Sequence, residues 1–489
     1  MNSAFLSTFL PTIIFYGLSF LSPNNKVFLG FYVLYGIALY ILHKRQWKDV
    51  LFFWYIASLP LAAGKKIAFD LVSFREFNLL IFRPYGISAD VIVTIGDVCI
   101  AIMGLVILKD VFFGKDRKKY RDTTASVLLM YFCTILISTV YGSIRPEISF
   151  LHALFVLKPI TLYWYIRHHV HERVLWMHTM MIIAAAIWLE FVMSGVQMLK
   201  QGPIGSVLEL TPDYIPYDMS SDSGQIFRPV GSFYHANTLA HFLLPFLCIM
   251  IPFFFVLFPG VSVWFTVTTM TVGFSVLLLT LSRSAWISFF AGFSVYVFLV
   301  EKIWNIRLIL MEQSKRILKW WIIPVLLVIL VFVLPRVVNT LFTFERYGSA
   351  ETRLLLLQDA ALAARENPVF GVGLEMDLFF MYLRSVQRRV TNGVIFFFPE
   401  PVHNGYMRLL LQAGIVGIVG FFAALAVVLQ MLIRSFRSVK SIQQRHMLSA
   451  VAAGITAICI NSLMQPLLPN IHDIVLFVAI SRAYYKSRA

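Results

Sequence analysis

Apolar runs of about 14 to 28 residues recur from one end of this chain to the other, most of them long enough to cross a bilayer as a helix. They are too many and too long to be the cores of soluble domains. In lipid, a helix is the spanning form that satisfies its own backbone. Only 13% of residues are charged and the mean hydropathy is +0.78. Soluble domains run near ~25% charged. The runs fall at 5–21, 26–43, 48–63, 91–108, 123–141, 149–166, 174–195, 237–258, 262–281, 285–301, 321–335, 405–432, 448–466 and 471–484. The fold class predicted is an all-α polytopic membrane protein of about 14 spans, or 12 with re-entrant or interfacial segments. Residues 1–489 read as a single integral membrane domain, without internal repeat. The N-terminal run lacks a basic n-region and a small-residue cleavage site, and reads as a first span.

The net charge of +16 does not indicate nucleic acid. The basic residues sit in short loops between apolar runs: 43–48, 109–122, 167–173, 302–321 and 434–445. The positive-inside rule puts such loops in the cytoplasm. Both termini are then cytoplasmic, and three polar segments fall on the outer face: an amphipathic interfacial stretch at 64–90, a loop at 196–236, and residues 336–404. The 196–236 loop holds four acids and two bases, the reverse of the inner loops. The four cysteines lie far apart inside apolar runs and suggest buried small hydrophobes rather than a disulfide framework.

Between Arg336 and His403 the chain carries seven arginines, seven carboxylates and no lysine. Arginine alone suits planar, bidentate capture of phosphate. Arg353 lies in the first turn of a predicted helix that opens near Ser349 and stops at Asn367-Pro368. A helix N-terminus with an arginine is an anion site; a solvated pair with Glu351 or Glu345 is the alternative. Arg346, Arg388 and Arg389 are further candidate substrate contacts. Gly371 and Gly373 allow a tight backbone after the helix, and residues 374–390 read as an amphipathic helix flat on the membrane. Arg283, in LTLSRSAW, is either a snorkelling arginine or a functional one. His403 and Asn404 open the run at 405. A neutral imidazole there can take a hydroxyl proton near neutral pH, and a structural histidine is the competing reading. Arg228, His235, Asn237 and His241, ahead of and within the run at 237, form either a pocket or a helix cap. Phosphate-loop, dinucleotide and H-E-x-x-H zinc motifs are missing. His168, His169 and His171 read as a solvated inner face. The outer face has no D-x-D pair to hold a divalent ion, so no metal and no cofactor are expected.

Four pieces, RPVGSFYHANTLA, LTLSRSAW, ETRLLLLQDAALAARENPVFGVG and PVHNGYMRLLLQAGIVG, follow one another between about 225 and 425. In this order they resemble the O-antigen ligase and O-antigen polymerase superfamily, with its S-R, R-x3-W/L-x2-A, N-P-x-x-G-x-G and H-N elements. The catalytic region then spans 262–435. The resemblance implies a GT-C-like helical fold in the bacterial cytoplasmic membrane, its active site facing the periplasm or cell exterior. It implies transfer of a glycan from an undecaprenyl-diphosphate carrier to an acceptor sugar hydroxyl, inverting and without metal. Arg283 and Arg353 would hold the diphosphate and His403 would activate the acceptor, with Arg228, His235, Asn237 and Asn404 among the substrate contacts. The family often has Trp where this chain has Leu357. A polymerase of a surface or exopolysaccharide repeat is slightly favoured over a ligase acting on lipid A-core. A lipid-glycan flippase is the rival of another class. It predicts two-fold repeats and midplane charges, and the sequence shows neither. A non-catalytic assembly partner, with His403 dispensable, is a third reading.

Overall fold

A computed structural model describes residues 5–22, 24–43, 47–61, 64–67, 70–72, 87–88, 91–113, 123–170, 172–206, 208–209, 217–218, 226–256, 263–303, 349–381, 402–439 and 441–465. The expected spans at 321–335 and 471–484, most of the flat helix at 374–390, and Arg346, Arg388 and Arg389 lie outside these residues.

The described chain is helical: α1 Leu10–Phe20, α2 Asn25–Leu42, α3 Trp47–Ser58, α4 Ile95–Phe113, α5 Thr123–Gly142, α6 Pro146–Leu154, α7 Leu157–His169, α8 Glu172–Lys200, α9 Ala236–Met250, α10 Val263–Leu279, α11 Arg283–Phe298, α12 Ser349–Glu366, α13 Gly405–Ser438 and α14 Ile442–Ser462. Seven stretches among the described residues are long and apolar enough to cross a membrane: Asn25–Leu42, Thr123–Gly142, Pro146–His169, His178–Lys200, Ala236–Phe253, Arg283–Ile303 and Gly405–Arg437. Shorter apolar helices run over Ser7–Phe20 and Trp264–Leu279. The protein is an all-α, multi-pass membrane protein. The shortfall from 14 has local causes besides the undescribed spans. Helix α3 has 12 residues, α4 carries Asp97, Lys109 and Asp110, and α14 opens on the polar turn Gln443–His446. Large apolar side chains such as Leu105, Phe112, Met130, Val140 and Val419 face outward from their helices. That pattern suits lipid contact and would be costly in water.

Three short antiparallel strand pairs interrupt the helices. β1 Gly64–Ile67 pairs with β4 Val91–Thr94, Gly64 opposite Thr94 and Ile67 opposite Val91. β2 Asp70–Val72 pairs with β3 Ile87–Ser88, and β5 Tyr217–Asp218 with β6 Ile226–Phe227. The stretch read as interfacial therefore leaves and rejoins the bundle as a paired ribbon, a pairing the sequence did not announce.

Long-range contacts join helix ends that the basic loops assign to the same side. At one end Ser206 Oγ donates to the Phe20 carbonyl (3.3 Å) and Ile144 N to the Val372 carbonyl (3.1 Å). At the other, Tyr296 bonds His446 (2.6 Å), and His169 joins Lys48 (3.0 Å) to Asp110 (3.3 Å). His169 is 4% exposed. It is thus a buried tie between α3, α4 and α7, not part of a solvated face. Of the cysteines, Cys99 and Cys248 are buried as expected, whereas Cys133 is exposed on α5.

Candidate active site

The geometry begins with a break in α13. Gly414 has φ 63° and ψ −166°, a combination essentially reserved for glycine. The break frees carbonyls and amides of the helix ladder, and buried backbone groups need partners. The 367–373 turn supplies them. Val372 N donates to Leu411 O (3.0 Å) and Gly373 N to Gln412 O (2.9 Å). Ile415 N donates to Pro368 O (2.9 Å) and Val416 N to Val369 O (3.2 Å). A Cβ on Gly414 would fall on the Val369 carbonyl, and one on Gly371 (φ +69°) would lie 2.5 Å from the Gln412 carbonyl carbon. The N-P-x-x-G-x-G turn is a backbone plug in a broken helix. Its other side is held by Ser138 Oγ on Phe370 O and by Ser149 Oγ on Leu374 O (3.1 Å).

This plug fixes α12 against the start of α13. Helix α12 opens at Ser349 and stops before Asn367-Pro368, as its sequence signals predict. Leu356, Ala360, Ala363 and Ala364 share a small apolar core with Val402, Met407 and Leu411. Arg353 lies about one turn before Leu356, and His403 follows Val402, so both flank that core. Arg353 is exposed and His403 half-buried. Asn404 is the N-cap of α13, its side chain accepting from Met407 N (2.9 Å).

Arg283 is the first residue of α11 and is exposed, between the buried Ser282 and Ser284. The turn before it holds Leu281 at φ 54°, a left-handed conformation that a branched side chain resists. Arg228 pins this turn: its Nε donates to Thr280 O (2.9 Å), and its Nη2 donates to Asn237 Oδ1 (2.9 Å). His235 is the N-cap of α9, Nδ1 accepting from Asn237 N (3.0 Å). The helix-cap reading holds for one residue of this segment. His235 does cap the helix, while Arg228 and Asn237 join it to the Arg283 turn. His241 is buried against Asn461 (2.9 Å).

The sequence reading missed one charged group. Arg408, in the first turns of α13, bonds Asp377 (2.9 Å) and Glu375 (2.8 Å), and Gln412 Nε2 donates to Asp377 Oδ1 (2.7 Å). Asp377 is 1% exposed. The Tyr234 phenol lies within electrostatic reach of the same guanidinium. Arg408 thereby connects the start of α13 to the residues after the plug. An arginine inside an apolar run was the available signal.

In this multi-pass membrane protein Arg353 and His403 flank one small core, and Arg283 opens α11 on the turn that Arg228 pins. Residues 268–422 match the family model described as O-antigen ligase. That region contains all three residues, and its match supports an O-antigen ligase/polymerase-type membrane enzyme. No curated protein matches the chain.

Proposed function

We propose that this enzyme moves a glycan from an undecaprenyl-diphosphate carrier to an acceptor sugar hydroxyl at the outer face of the bacterial cytoplasmic membrane. The acceptor is most readily another carrier-linked repeat unit, which makes the reaction polymerisation of a surface or exopolysaccharide. In this reading His403 takes the acceptor hydroxyl proton as that oxygen bonds the anomeric carbon. The bond from the anomeric carbon to the diphosphate oxygen breaks, and the carrier diphosphate leaves with the electron pair. Attack opposite the leaving group inverts the carbon. Arg283 and Arg353 meet the charge that develops on the departing diphosphate, an electrostatic term worth most when preorganised. Arg346, Arg388 and Arg389 are available for the same polyanion, and Asn404, His235, Asn237 and Arg228 shape the surrounding wall. The chemistry asks for no metal or cofactor.

The observation that carries this reading is the direct coupling of the motif-bearing segments: plug to α13, Arg228 to the Arg283 turn, Arg408 to the residues after the plug. A second point supports it. An arginine at the first position of a helix opposes the macrodipole by about 0.3–1 kcal/mol. Arg283 occupies that position on α11, where an anionic ligand would reverse the sign.

Single replacement of His403, Arg283 and Arg353 by Ala, followed by analysis of lipid-linked and surface glycans, tests it. Loss of polymer in each variant is expected, with single carrier-linked repeats accumulating. Accumulation of long carrier-linked chains would instead identify a ligase acting on lipid A-core. Full-length surface polymer in all three variants would end the catalytic assignment.

A further inference from the structure

Resting on that reading of the site, we infer that Glu190 in α8 is a protonated carboxylic acid that acts as a positioning residue for the segment carrying Arg228, Tyr234 and His235. The protons available around Ser232 require it. Ser232 Oγ lies 2.6 Å from Glu190 Oε1 and also bonds the Pro60 carbonyl oxygen. A hydroxyl has one proton and the carbonyl can only accept. If Ser232 gives its proton to Glu190, two oxygen lone pairs face each other at Pro60. If Ser232 gives it to Pro60, Glu190 must supply the proton for the second contact. Only the second arrangement satisfies every atom: Glu190 Oε1–H to Ser232 Oγ, and Ser232 Oγ–H to Pro60 O. The other carboxyl oxygen, Oε2, accepts from Ser232 N (3.0 Å). Both residues are 0% exposed, so water offers neither a substitute donor nor a screen. Among the described residues no cation pairs with Glu190, and an ionised carboxylate without one in such a place is strongly disfavoured.

The geometry beside it fits a device for holding one turn. Gly231 has φ +60°, and a Cβ there would fall on Glu190 Oε2. Two turns along the same face of α8, Gln197 accepts from Val230 N (3.0 Å) and Gly231 N (2.8 Å) and donates to Gly231 O (2.8 Å). Its amide also donates to Glu209 Oε1 (2.7 Å). Glu190 and Gln197 thus grip residues 230–232 from α8. Beside this grip Arg228 reaches the Arg283 turn. Release of the grip would loosen the support of the Arg283 turn without touching substrate.

Glutamine is neutral and close to isosteric, and its amide can donate to Ser232 Oγ while its oxygen accepts from Ser232 N. Glu190→Gln is expected to keep transfer within about threefold of wild type, and Glu190→Ala to lower it about tenfold or more by leaving buried groups unmet. The protonation is read separately by infrared spectroscopy of the purified protein in nanodiscs. A protonated-carboxyl band present in wild type and missing in Glu190→Gln is expected. It should shift, without vanishing, in Ser232→Ala. No such band, or a Gln variant as inactive as the Ala variant while folded to the same melting temperature, would overturn the inference. The infrared result is independent of the catalytic reading. If His403→Ala is active while the Glu190 band is present, the function is wrong and the protonation stands.

Discussion

Replacement of Gly414 by Ala is the sharpest test of the plugged helix break. At φ 63° and ψ −166° alanine sits where only glycine is at ease, a strain of about 1–3 kcal/mol. The new methyl would also meet backbone. It would fall on the Val369 carbonyl and lie 2.6 Å from Phe370 N. Neither can rotate aside as a side chain would, so the turn must withdraw. Withdrawal weakens the bonds from Ile415 N to Pro368 O and from Val416 N to Val369 O, each worth a net ~0.5–1.5 kcal/mol. Adding strain and lost bonds gives about 2–6 kcal/mol. The assay is thermal unfolding of Gly414→Ala in nanodiscs beside Gly195→Ala, together with polymer analysis in cells. Gly195 lies in α8, and a Cβ there meets nothing within 4 Å, so that variant should be neutral or slightly stabilised. A Gly414→Ala protein with wild-type melting temperature and full-length polymer would refute the idea that the turn depends on this break.

Other expectations follow from single bonds. Arg408→Met leaves Asp377 and Glu375 without their cation and should cost about 3 kcal/mol or more; the double variant Arg408→Met with Asp377→Asn should recover part of that in a melting curve. Asn404→Ala should lower stability by ~1 kcal/mol through the lost cap, whereas Asn404→Ser should restore both melting temperature and activity. If serine restores the melting temperature but not transfer, Asn404 contacts substrate as well. Asn237→Asp keeps an acceptor for Arg228 and should stay active, while Asn237→Leu should lose transfer at unchanged protein level in a membrane immunoblot.

What the sequence made legible divides by range. Hydropathy and basic loops located most spans, because burial in lipid acts on each segment separately. Local signals placed α12 within a residue of its ends and required tight backbone at Gly371 and Gly373. What that tight backbone served was hidden. Its partner is the break at Gly414, more than forty residues away, and pairing between main-chain groups leaves no side-chain signature in one sequence. His169 was misread for a related reason. Beside Arg167 and Arg173 it looks solvated, but Lys48 and Asp110 come from other helices to bury it. Arg408 escaped notice because its acids, Glu375 and Asp377, were counted with the solvated charges of the outer stretch.

The same partition bears on how the candidate site is divided between frame and chemistry. Arg228, His235, Asn237 and Asn404 were grouped as substrate contacts, yet each has a bond that shapes the fold: a pinned turn, two caps and a bridge. In a membrane end-face these roles are compatible, since a cap spends one acceptor and leaves the rest of the side chain available. They predict different mutational patterns, however. A framing residue is rescued by any side chain that restores its bond, whereas a residue that receives a proton or meets a diphosphate is rescued only by one with the same charge and reach. Arg283 opens α11 and Arg353 lies early in the second turn of α12, both exposed, and His403 stands just ahead of a capped helix. At these positions a stabilising role would favour an acid or a small polar cap rather than a cation. The residues least suited to their helix ends are therefore the ones to which the chemistry is assigned, and the polar residues around them account for why they stay there.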